Sequence, residues 1–342
     1  ELAERLGALT GLGHAFFASD GASATEIALK MSFHAHRNNG SLKKQKFIML
    51  DGSYHGETIG ALAVTDVAIF KDAYGDLLNQ NFVLEGPSFT DALHGVEMQN
   101  GCCKECVPAA NARLDSLLEA HHEEIAALII EPLVQGANGM RFIPAAYLAH
   151  AKAATAKYNV HLICDEIMTG FGRTGTLFAH EQAGIKPDLL CLSKGITAGY
   201  LPLSCVLSSD AIYAAFYEDE TAKGFLHSHS YTGNALACVA AIASLDIFVA
   251  DNVLAINKEK AARFNFIAEP LKQHPHITNF RYIGMIWAFD IAAAYAHAPA
   301  FAKHFFTRAM QYGVILRPIG NTVYFMPPYI IDDAQFMLMV EA

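Results

Sequence analysis

Short runs of apolar residues, each ended by polar or glycine-rich turns, recur through the first 250 residues of the chain. A continuous apolar run of about four residues is typical of a strand that is buried on both faces of a sheet. The predicted strands are residues 47–50, 127–130, 161–164, 189–192 and 204–207. Between them, apolar residues recur at helical spacing, as they do from Ala24 to Met31. This alternation predicts an α/β fold with a largely parallel sheet that is covered by helices on both faces.

The pattern changes beyond residue 251, after a long apolar helix that is predicted at 232–249. The elements predicted there are a helix at 253–271, a strand at 282–289, a helix at 301–312, strands at 314–317 and 322–325, and a final helix at 334–342. We therefore expect two domains, a large domain of residues 1–250 and a small α+β domain of residues 251–342. Because the chain opens on a helical pattern without methionine and also ends on a helical pattern, we expect residues to be missing at one or both ends.

The composition restricts the class of protein. Of the 342 residues, 53% are hydrophobic and 17% are charged, which is the balance of a globular chain and not of a disordered one. The net charge is −10 and no basic block is present, so we expect no nucleic-acid partner. No apolar stretch reaches the length of a membrane span and no secretory signal is visible, so we expect a cytoplasmic protein without a membrane partner.

The chain has seven cysteines, and most of them stand in apolar runs. Small core thiols of this kind are typical of a reducing compartment. The exceptions form a C-x-x-C pattern at Cys102, Cys103 and Cys106. A single C-x-x-C without a second pair of ligands is a weak zinc signal, so we expect an incidental loop there and no metal site.

Two charged residues stand at the ends of predicted strands, which is where α/β enzymes place their chemistry. Lys194 follows the strand predicted at 189–192, and Asp165 follows the strand at 161–164. A carboxylate at the end of a buried strand is costly without a cationic partner, and a protonated ring nitrogen of a ligand would be such a partner. The ordinary alternatives are a loop lysine and an ion pair between Asp165 and Arg173.

Two further segments could hold other parts of a ligand. Residues 20–23 precede a helix, whose free N–H groups and dipole can bind a phosphate. The alternative is an ordinary helix cap by Asp20 or Ser23. Tyr54 follows the first predicted strand and could offer its ring to a flat ligand, although simple packing is the alternative.

A phosphate-binding helix start, an aromatic face, a buried carboxylate and a strand-end lysine are together what pyridoxal phosphate requires. The lysine forms a Schiff base, and the carboxylate holds the proton on the pyridinium nitrogen so that the ring can act as an electron sink. None of the four parts is specific alone. Their order along the chain and their shared sheet edge favour a pyridoxal-phosphate enzyme.

Five stretches of the chain resemble the class III aminotransferases of fold type I. They are FASDGASATEIALKM (17–31), YHGET (54–58), IIEPLVQGANGM (129–140), DEIMTGFGRTG (165–175) and LSKG (192–195). The resemblance runs from about residue 5 to the C-terminus. It implies a fold with a mostly parallel, seven-stranded sheet in the large domain, and a small domain whose N-terminal segment is expected to be missing. It also implies a transaminase that uses pyridoxal 5'-phosphate and works as a homodimer with shared active sites.

The resemblance also implies roles for individual side chains. The implied catalytic residues are Lys194, which forms the Schiff base, Asp165, which pairs with the pyridinium nitrogen, and Tyr54, which stacks on the ring. The residues implied to bind the cofactor are Asp20, Gly21, Ala22, Tyr54, Asp165, Lys194, His229 and Ser230, of which the last two reach the phosphate held by the other subunit. The residues implied to bind substrate are Tyr54, Lys194, Ser228 and Arg317. Among these, Arg317 suits the carboxylate of a keto substrate because a guanidinium binds carboxylates through two parallel hydrogen bonds.

Within the class, residues 227–234, 284–290 and 316–329 resemble the branch that acts in biotin biosynthesis. That likeness implies amino transfer from S-adenosylmethionine to 8-amino-7-oxononanoate, which yields 7,8-diaminononanoate. Met168 stands where relatives that act on ornithine or γ-aminobutyrate usually carry glutamine, and this disfavours an ω-amino-acid:2-oxo-acid aminotransferase. That enzyme, a lysine-dependent variant of the biotin step, an aminomutase and a non-enzymatic pyridoxal-binding regulator remain the alternatives.

Overall fold

The computed structural model describes residues 1–87, 106–296 and 300–342. The strands in these ranges are β1 (His14–Ala18), β2 (Lys46–Leu50), β3 (Phe82–Leu84), β4 (Ile125–Ile130), β5 (Val134–Gln135), β6 (Arg141–Phe142), β7 (His161–Asp165), β8 (Leu189–Leu192), β9 (Ser204–Ser208), β10 (Ile277–Ile283), β11 (Ile286–Ile291) and β12 (Thr322–Phe325). Seven of the strands form one sheet in the order β1-β9-β8-β7-β4-β2-β3, and β10, β11 and β12 form a separate sheet. Strands β5 and β6 pair as a short antiparallel hairpin.

The five strands from β8 to β3 in the large sheet are parallel, whereas β9 is antiparallel to both of its neighbours. Because β9 reverses direction relative to β8 and again relative to β1, strand β1 runs in the same direction as the parallel strands. The prediction of an α/β fold with a largely parallel, seven-stranded sheet is confirmed.

Helices cover both faces of the large sheet. The helices of the described chain are α1 (Leu2–Thr10), α2 (Gly21–Asn38), α3 (Ile59–Ala63), α4 (Ala68–Lys71), α5 (Cys106–His121), α6 (Ala145–Lys157), α7 (Asp210–Ala214), α8 (Ala235–Ala250), α9 (Val253–Ile267), α10 (Glu269–Gln273), α11 (Ala293–Ala296), α12 (Phe301–Gln311) and α13 (Asp333–Glu341). Side chains of β4 alternate between two apolar layers, with Leu128 and Ile130 in one and Ala127 and Ile129 in the other. Both layers are buried, which explains why the strand is a continuous apolar run.

Two strand predictions beyond residue 250 are wrong. The segment at 282–289 is not one strand but a hairpin, in which β10 and β11 flank the turn at Gly284 and Met285. Gly284 has a φ of +52°, and a Cβ there would overlap the backbone of Thr174 and Gly175, so only glycine fits. The apolar run continues through this turn because Met285 is also buried, and the pattern therefore conceals the reversal.

The strand predicted at 314–317 is not formed either. Val314 and Leu316 are buried while Ile315 and Arg317 are exposed, so the alternation expected of a strand is present. Regular pairing is absent over these four described residues, and an isolated bridge joins Ile319 to Thr322 further on. Residues 314–317 therefore show the alternating burial of a strand because they pack on the small sheet, although they do not pair with it.

The helix predicted at 253–271 is divided into α9 and α10. Pro270 stands in the first turn of α10, where it cannot donate a backbone hydrogen bond to continue the preceding helix. Strand β1, at His14–Ala18, was not among the predicted strands.

Several other observations bear on the sequence-based expectations. Cys106 opens helix α5, whereas Cys102 and Cys103 lie outside the described residues. In the described ranges, no group of three or more His, Cys, Asp or Glu side chains could hold a metal ion. No single helix in those ranges is long and apolar enough to span a membrane; α8 and α9 meet the requirement only together, as a pair bent by 64°.

Candidate active site

Five strands of the large sheet end at the same edge and deliver polar residues there. Strands β1, β2, β4, β7 and β8 run in one direction, so their carboxyl ends lie side by side. Asp20, Tyr54, Glu131, Asp165 and Lys194 each stand at or within a few residues of one of these ends. The order of the strands, and not the order along the chain, therefore assembles these residues into one region.

Asp165 is held by a buried histidine. Asp165 is the register partner of Cys191 in β8, and Cys191 stands three residues before Lys194. Its Oδ2 accepts a hydrogen bond of 2.7 Å from Nδ1 of His55, and its Oδ1 accepts one of 3.1 Å from the N–H of Ile167. The side chain of His55 is fully buried and that of Asp165 is 5% exposed. The alternative prediction, an ion pair between Asp165 and Arg173, is not formed. Arg173 instead donates to the carbonyl oxygens of Met285 and Pro327.

Lys194 directly follows the turn after β8, and its side chain is exposed. Its φ of +45° lies in the left-handed region, which is uncommon for a residue with a Cβ and costs of order 1 kcal/mol or more. Ser193 fixes the turn by donating from Oγ to the carbonyl oxygen of Leu203, and Gly195 packs so closely that a Cβ would lie 2.9 Å from Cβ of Phe171. The surroundings thus hold the lysine in a strained but defined position.

Helix α2 begins at the same edge with an acidic cap. Oδ1 of Asp20 accepts from the N–H of Ser23 at 2.9 Å, and Oδ2 accepts from the hydroxyl groups of Ser23 and Ser19. Burial tends to raise the pKa of Asp20, but these hydrogen bonds outweigh it and lower the pKa below its usual value. The cap leaves the N–H groups of Gly21 and Ala22 without a protein acceptor in the described chain, so they can still bind an anion.

Tyr54 lies at this edge with its ring beside Phe70, at 5.0 Å between the ring centroids. Its hydroxyl donates to Glu57, and its backbone N–H donates to Oε1 of Glu131 at 3.1 Å. Burial and the bond to Glu57 raise the pKa of Tyr54 to about 12, so the phenol stays protonated at neutral pH. Gly56 follows with a φ of +124°, which brings this loop against the start of α2.

The remaining predicted residues lie in two exposed segments. His229 lies beside α2, with its Nε2 3.2 Å from Oγ of Ser19. Ser228 and Ser230 are exposed, as is Arg317. Within the described ranges no ion pair engages Arg317, so its guanidinium is available to a ligand. The structure therefore brings His229 to the start of α2 and leaves the binding roles of Ser228, Ser230 and Arg317 as predictions.

Two residues of the site were missed by the sequence reasoning. His55 and Glu131 stand inside the motifs at 54–58 and 129–140, but neither was assigned a role. The same argument that singled out Asp165, a carboxylate at the end of a buried strand, applied equally to Glu131 and could have found it. Its side chain is buried and accepts from the N–H groups of Tyr54 and Gly136.

The donor set at this edge fits pyridoxal 5'-phosphate. Free N–H groups at the start of α2 suit a phosphate, and the buried carboxylate of Asp165 suits a cationic ring nitrogen. The amine of Lys194 and the ring of Tyr54 supply the remaining two requirements. In addition, Nε2 of His55 is buried without a hydrogen-bond partner in the described ranges, which leaves the histidine a further donor or acceptor.

A fold with these strand ends is that of the pyridoxal-phosphate-dependent transaminases. The family model described as aminotransferase class-III matches residues 1–342, and the chain belongs to that family. Members of the class use pyridoxal 5'-phosphate.

Within the family, the chain is 46% identical over 340 residues to an adenosylmethionine-8-amino-7-oxononanoate aminotransferase of Helicobacter pylori, a match that covers 98% of this chain and 74% of the relative. A protein of the same name from Aquifex aeolicus is 35% identical, with 97% and 74% covered. The crystal structure of such an enzyme from Methanocaldococcus jannaschii superposes with a TM-score of 0.87 at 32% identity, covering 99% of this chain and 77% of the other. An (S)-enantioselective ω-transaminase from Thermomicrobium roseum gives a TM-score of 0.91 at 30% identity, with 99% and 76% covered.

Proposed function

We propose that this chain transfers an amino group to 8-amino-7-oxononanoate to form 7,8-diaminononanoate, a step of biotin biosynthesis. The observation that carries the proposal is its 46% identity, over 98% of the chain, to a relative named for that reaction. Met168 and the segment at 316–329, which argued for this branch from the sequence, support the same conclusion. We propose S-adenosylmethionine as the amino donor, and a lysine-dependent variant of the same step is the first alternative.

The site residues take the following roles in this proposal. Pyridoxal phosphate, when bound, supplies an electron sink that makes proton removal at the carbon bearing the amino group easier. With the cofactor present, the amine of Lys194 would hold it covalently and would move a proton at the reacting carbon. The carboxylate of Asp165, oriented by His55, holds the ring nitrogen protonated, and the ring of Tyr54 lies against the cofactor.

Phosphate and carboxylate recognition complete the assignment. The N–H groups of Gly21 and Ala22 hold the phosphate, with Asp20 fixing the helix start through its bonds to Ser23. Arg317 pairs with the carboxylate of the keto acid, because its guanidinium is exposed and can make two parallel hydrogen bonds. Ser228 is proposed to contact the substrate.

We further propose that the active form is a cytoplasmic homodimer, in which His229 and Ser230 reach the phosphate held by the other subunit. Large apolar side chains are exposed around this segment, a pattern typical of surface that is buried in an assembly. They are Leu226, Tyr231, Leu236 and Val239, each more than 60% exposed. The division into a large domain (1–250) and a small domain (251–342) is part of the same proposal.

The proposal is tested by offering one amine at a time to the cofactor-loaded enzyme. S-adenosylmethionine, lysine, ornithine and γ-aminobutyrate are each mixed with the enzyme, and the visible absorbance of the bound cofactor is followed. The expected result is a rapid change with S-adenosylmethionine, and formation of 7,8-diaminononanoate when 8-amino-7-oxononanoate is then added. A change with lysine alone would support the lysine-dependent variant.

An ω-amino-acid:2-oxo-acid aminotransferase is the second candidate. The superposition on an ω-transaminase, with a TM-score of 0.91, favours it, although the identity is lower than that to the biotin-pathway relatives. A response to ornithine or γ-aminobutyrate with transfer to a 2-oxo acid, and none to S-adenosylmethionine or lysine, would establish this function in place of the one proposed.

A further inference from the structure

Glu131 is a buried carboxylate that joins two separate segments of the site. It follows the last residue of β4, and only 6% of the residue is exposed. Its Oε1 accepts from the N–H of Tyr54 at 3.1 Å, and its Oε2 accepts from the N–H of Gly136 at 3.0 Å. The first donor lies in the loop after β2, and the second lies between β5 and β6. One carboxylate therefore fixes the main chain of both segments.

A carboxylate at this buried position loses the hydration that an exposed carboxylate would have, which costs free energy. Burial raises the pKa of Glu131 to about 7, and the nearby Asp165 adds to the rise, whereas His55 and the two N–H bonds oppose it. A neutral side chain of the same shape would avoid the cost of burial. Glutamine has only one acceptor oxygen, however, and its amide would face one of the two N–H donors. A carboxylate offers one acceptor oxygen to each of the two donors.

Each of the two segments carries or contacts a residue on which the proposed function depends. In the first, Tyr54 presents the ring that is proposed to lie against the cofactor. In the second, Gly136 packs directly against the sulfur of Met168, and a Cβ at this glycine would overlap that atom. Gly136 is thus held by the packing of Met168 and by its hydrogen bond to Glu131.

We propose that Glu131 is a positioning residue for cofactor binding, which holds the Tyr54 segment and the Gly136 segment in a fixed mutual arrangement. Glu131 acts through backbone N–H groups and need not touch the cofactor or the substrate. The inference rests on the proposed function, because it takes Tyr54 as the residue that lies against the cofactor. It adds the residue that determines where the main chain of Tyr54 lies.

Glu131→Gln tests this role through cofactor affinity. The apo forms of the variant and of the wild type are titrated with pyridoxal phosphate, bound cofactor is measured by visible absorbance and circular dichroism, and apo stability is measured by thermal unfolding. The variant is expected to bind at least tenfold more weakly, with less circular dichroism per bound cofactor. Its apo melting temperature is expected to stay close to that of the wild type, since relief of the buried charge offsets the unsatisfied donor.

Glu181→Gln is the matched control, because Glu181 also accepts from a backbone N–H, that of Phe178, but at an exposed helix cap. It is expected to leave cofactor affinity unchanged. Glu131→Asp keeps the charge but has a shorter reach, and it is expected to fold and to bind the cofactor several-fold more weakly. If the glutamine variant does not fold, the aspartate variant decides the question.

Two results would overturn the inference. The first is a Glu131 variant that binds the cofactor as tightly as the wild type. The second is a loss of apo stability with cofactor affinity intact, which would make Glu131 a purely structural residue. Neither outcome touches the proposed reaction, which fails only if the wild-type protein does not bind pyridoxal phosphate or does not transfer the amino group.

Discussion

Replacing His55 with leucine should weaken both the fold and cofactor binding, because it removes the side-chain donor to Asp165. The two side chains share a 2.7 Å hydrogen bond in a region where both are almost completely buried. A hydrogen bond to a charged group contributes about 1.5–3 kcal/mol, and a buried acceptor that loses its donor is destabilised by a similar amount. Leucine has nearly the volume of histidine, so the change removes the hydrogen bond without opening a large cavity.

The expected loss of stability in the apo protein is therefore about 2 kcal/mol, measured by urea unfolding at pH 7.5. Cofactor affinity should fall as well, because Asp165 is no longer held in the orientation that suits the ring nitrogen. Each 1.4 kcal/mol of binding free energy lost in this way weakens binding roughly tenfold. His55→Asn is the matched control, since the asparagine amide can place an N–H near the position of Nδ1 and should retain most of both properties. The reasoning is refuted if the leucine variant matches the wild type in stability and affinity, or if the asparagine variant is as impaired as leucine.

Three further changes test other parts of the molecule. Lys194→Ala should abolish the visible absorbance of covalently bound cofactor and lower turnover by on the order of 10³-fold or more, since it removes both the attachment point and the proton carrier; full activity would contradict the assignment. Arg317→Ala should raise the KM for 8-amino-7-oxononanoate by roughly 10- to 100-fold and that for the amino donor much less, and equal effects on both would argue against a carboxylate role. Burial lowers the pKa of His36 to about 4, so the folded state favours the neutral ring. The free energy of unfolding should therefore be at its full value above pH 6.5 and should fall by about 3 kcal/mol as the pH drops towards 4, because the unfolded chain binds the proton more readily. His36→Phe should flatten that part of a stability–pH curve, and an unchanged slope would show that other groups govern acid unfolding.

The sheet edge could be predicted because it depends on local patterns. Strands such as β7 and β8 are continuous apolar runs, and the rule that parallel strands end at one edge then placed Asp165 near Lys194. The left-handed backbone of Lys194 could not be predicted, because residues with a Cβ rarely adopt it and no sequence pattern marks it.

The hydrogen-bond donors to Asp165 and Glu131 could not be predicted from the sequence, for a different reason. Which donor faces Asp165 depends on the path of the loop from β2 to α3, including the positive φ of Gly56 and its close approach to Ala22. No periodicity describes such a path. Beyond residue 250, the error at 282–289 arose because a buried turn residue, Met285, continued the apolar pattern through a reversal of the chain.

The placement of β1 has a consequence for how the protein is made. Strand β1 pairs with β9, and Phe16 faces Val206, so about 190 residues must be synthesised between the two. At ribosomal rates of roughly 5–20 residues per second, the early strand waits about 10–40 s for its neighbour. During that interval helix α2, whose first N–H groups are proposed to hold the phosphate, follows a strand that has no partner in the sheet. A nascent chain should therefore acquire cofactor affinity only after β9 has left the exit tunnel, because until then β1 has an unpaired edge and the start of α2 is not held against the sheet.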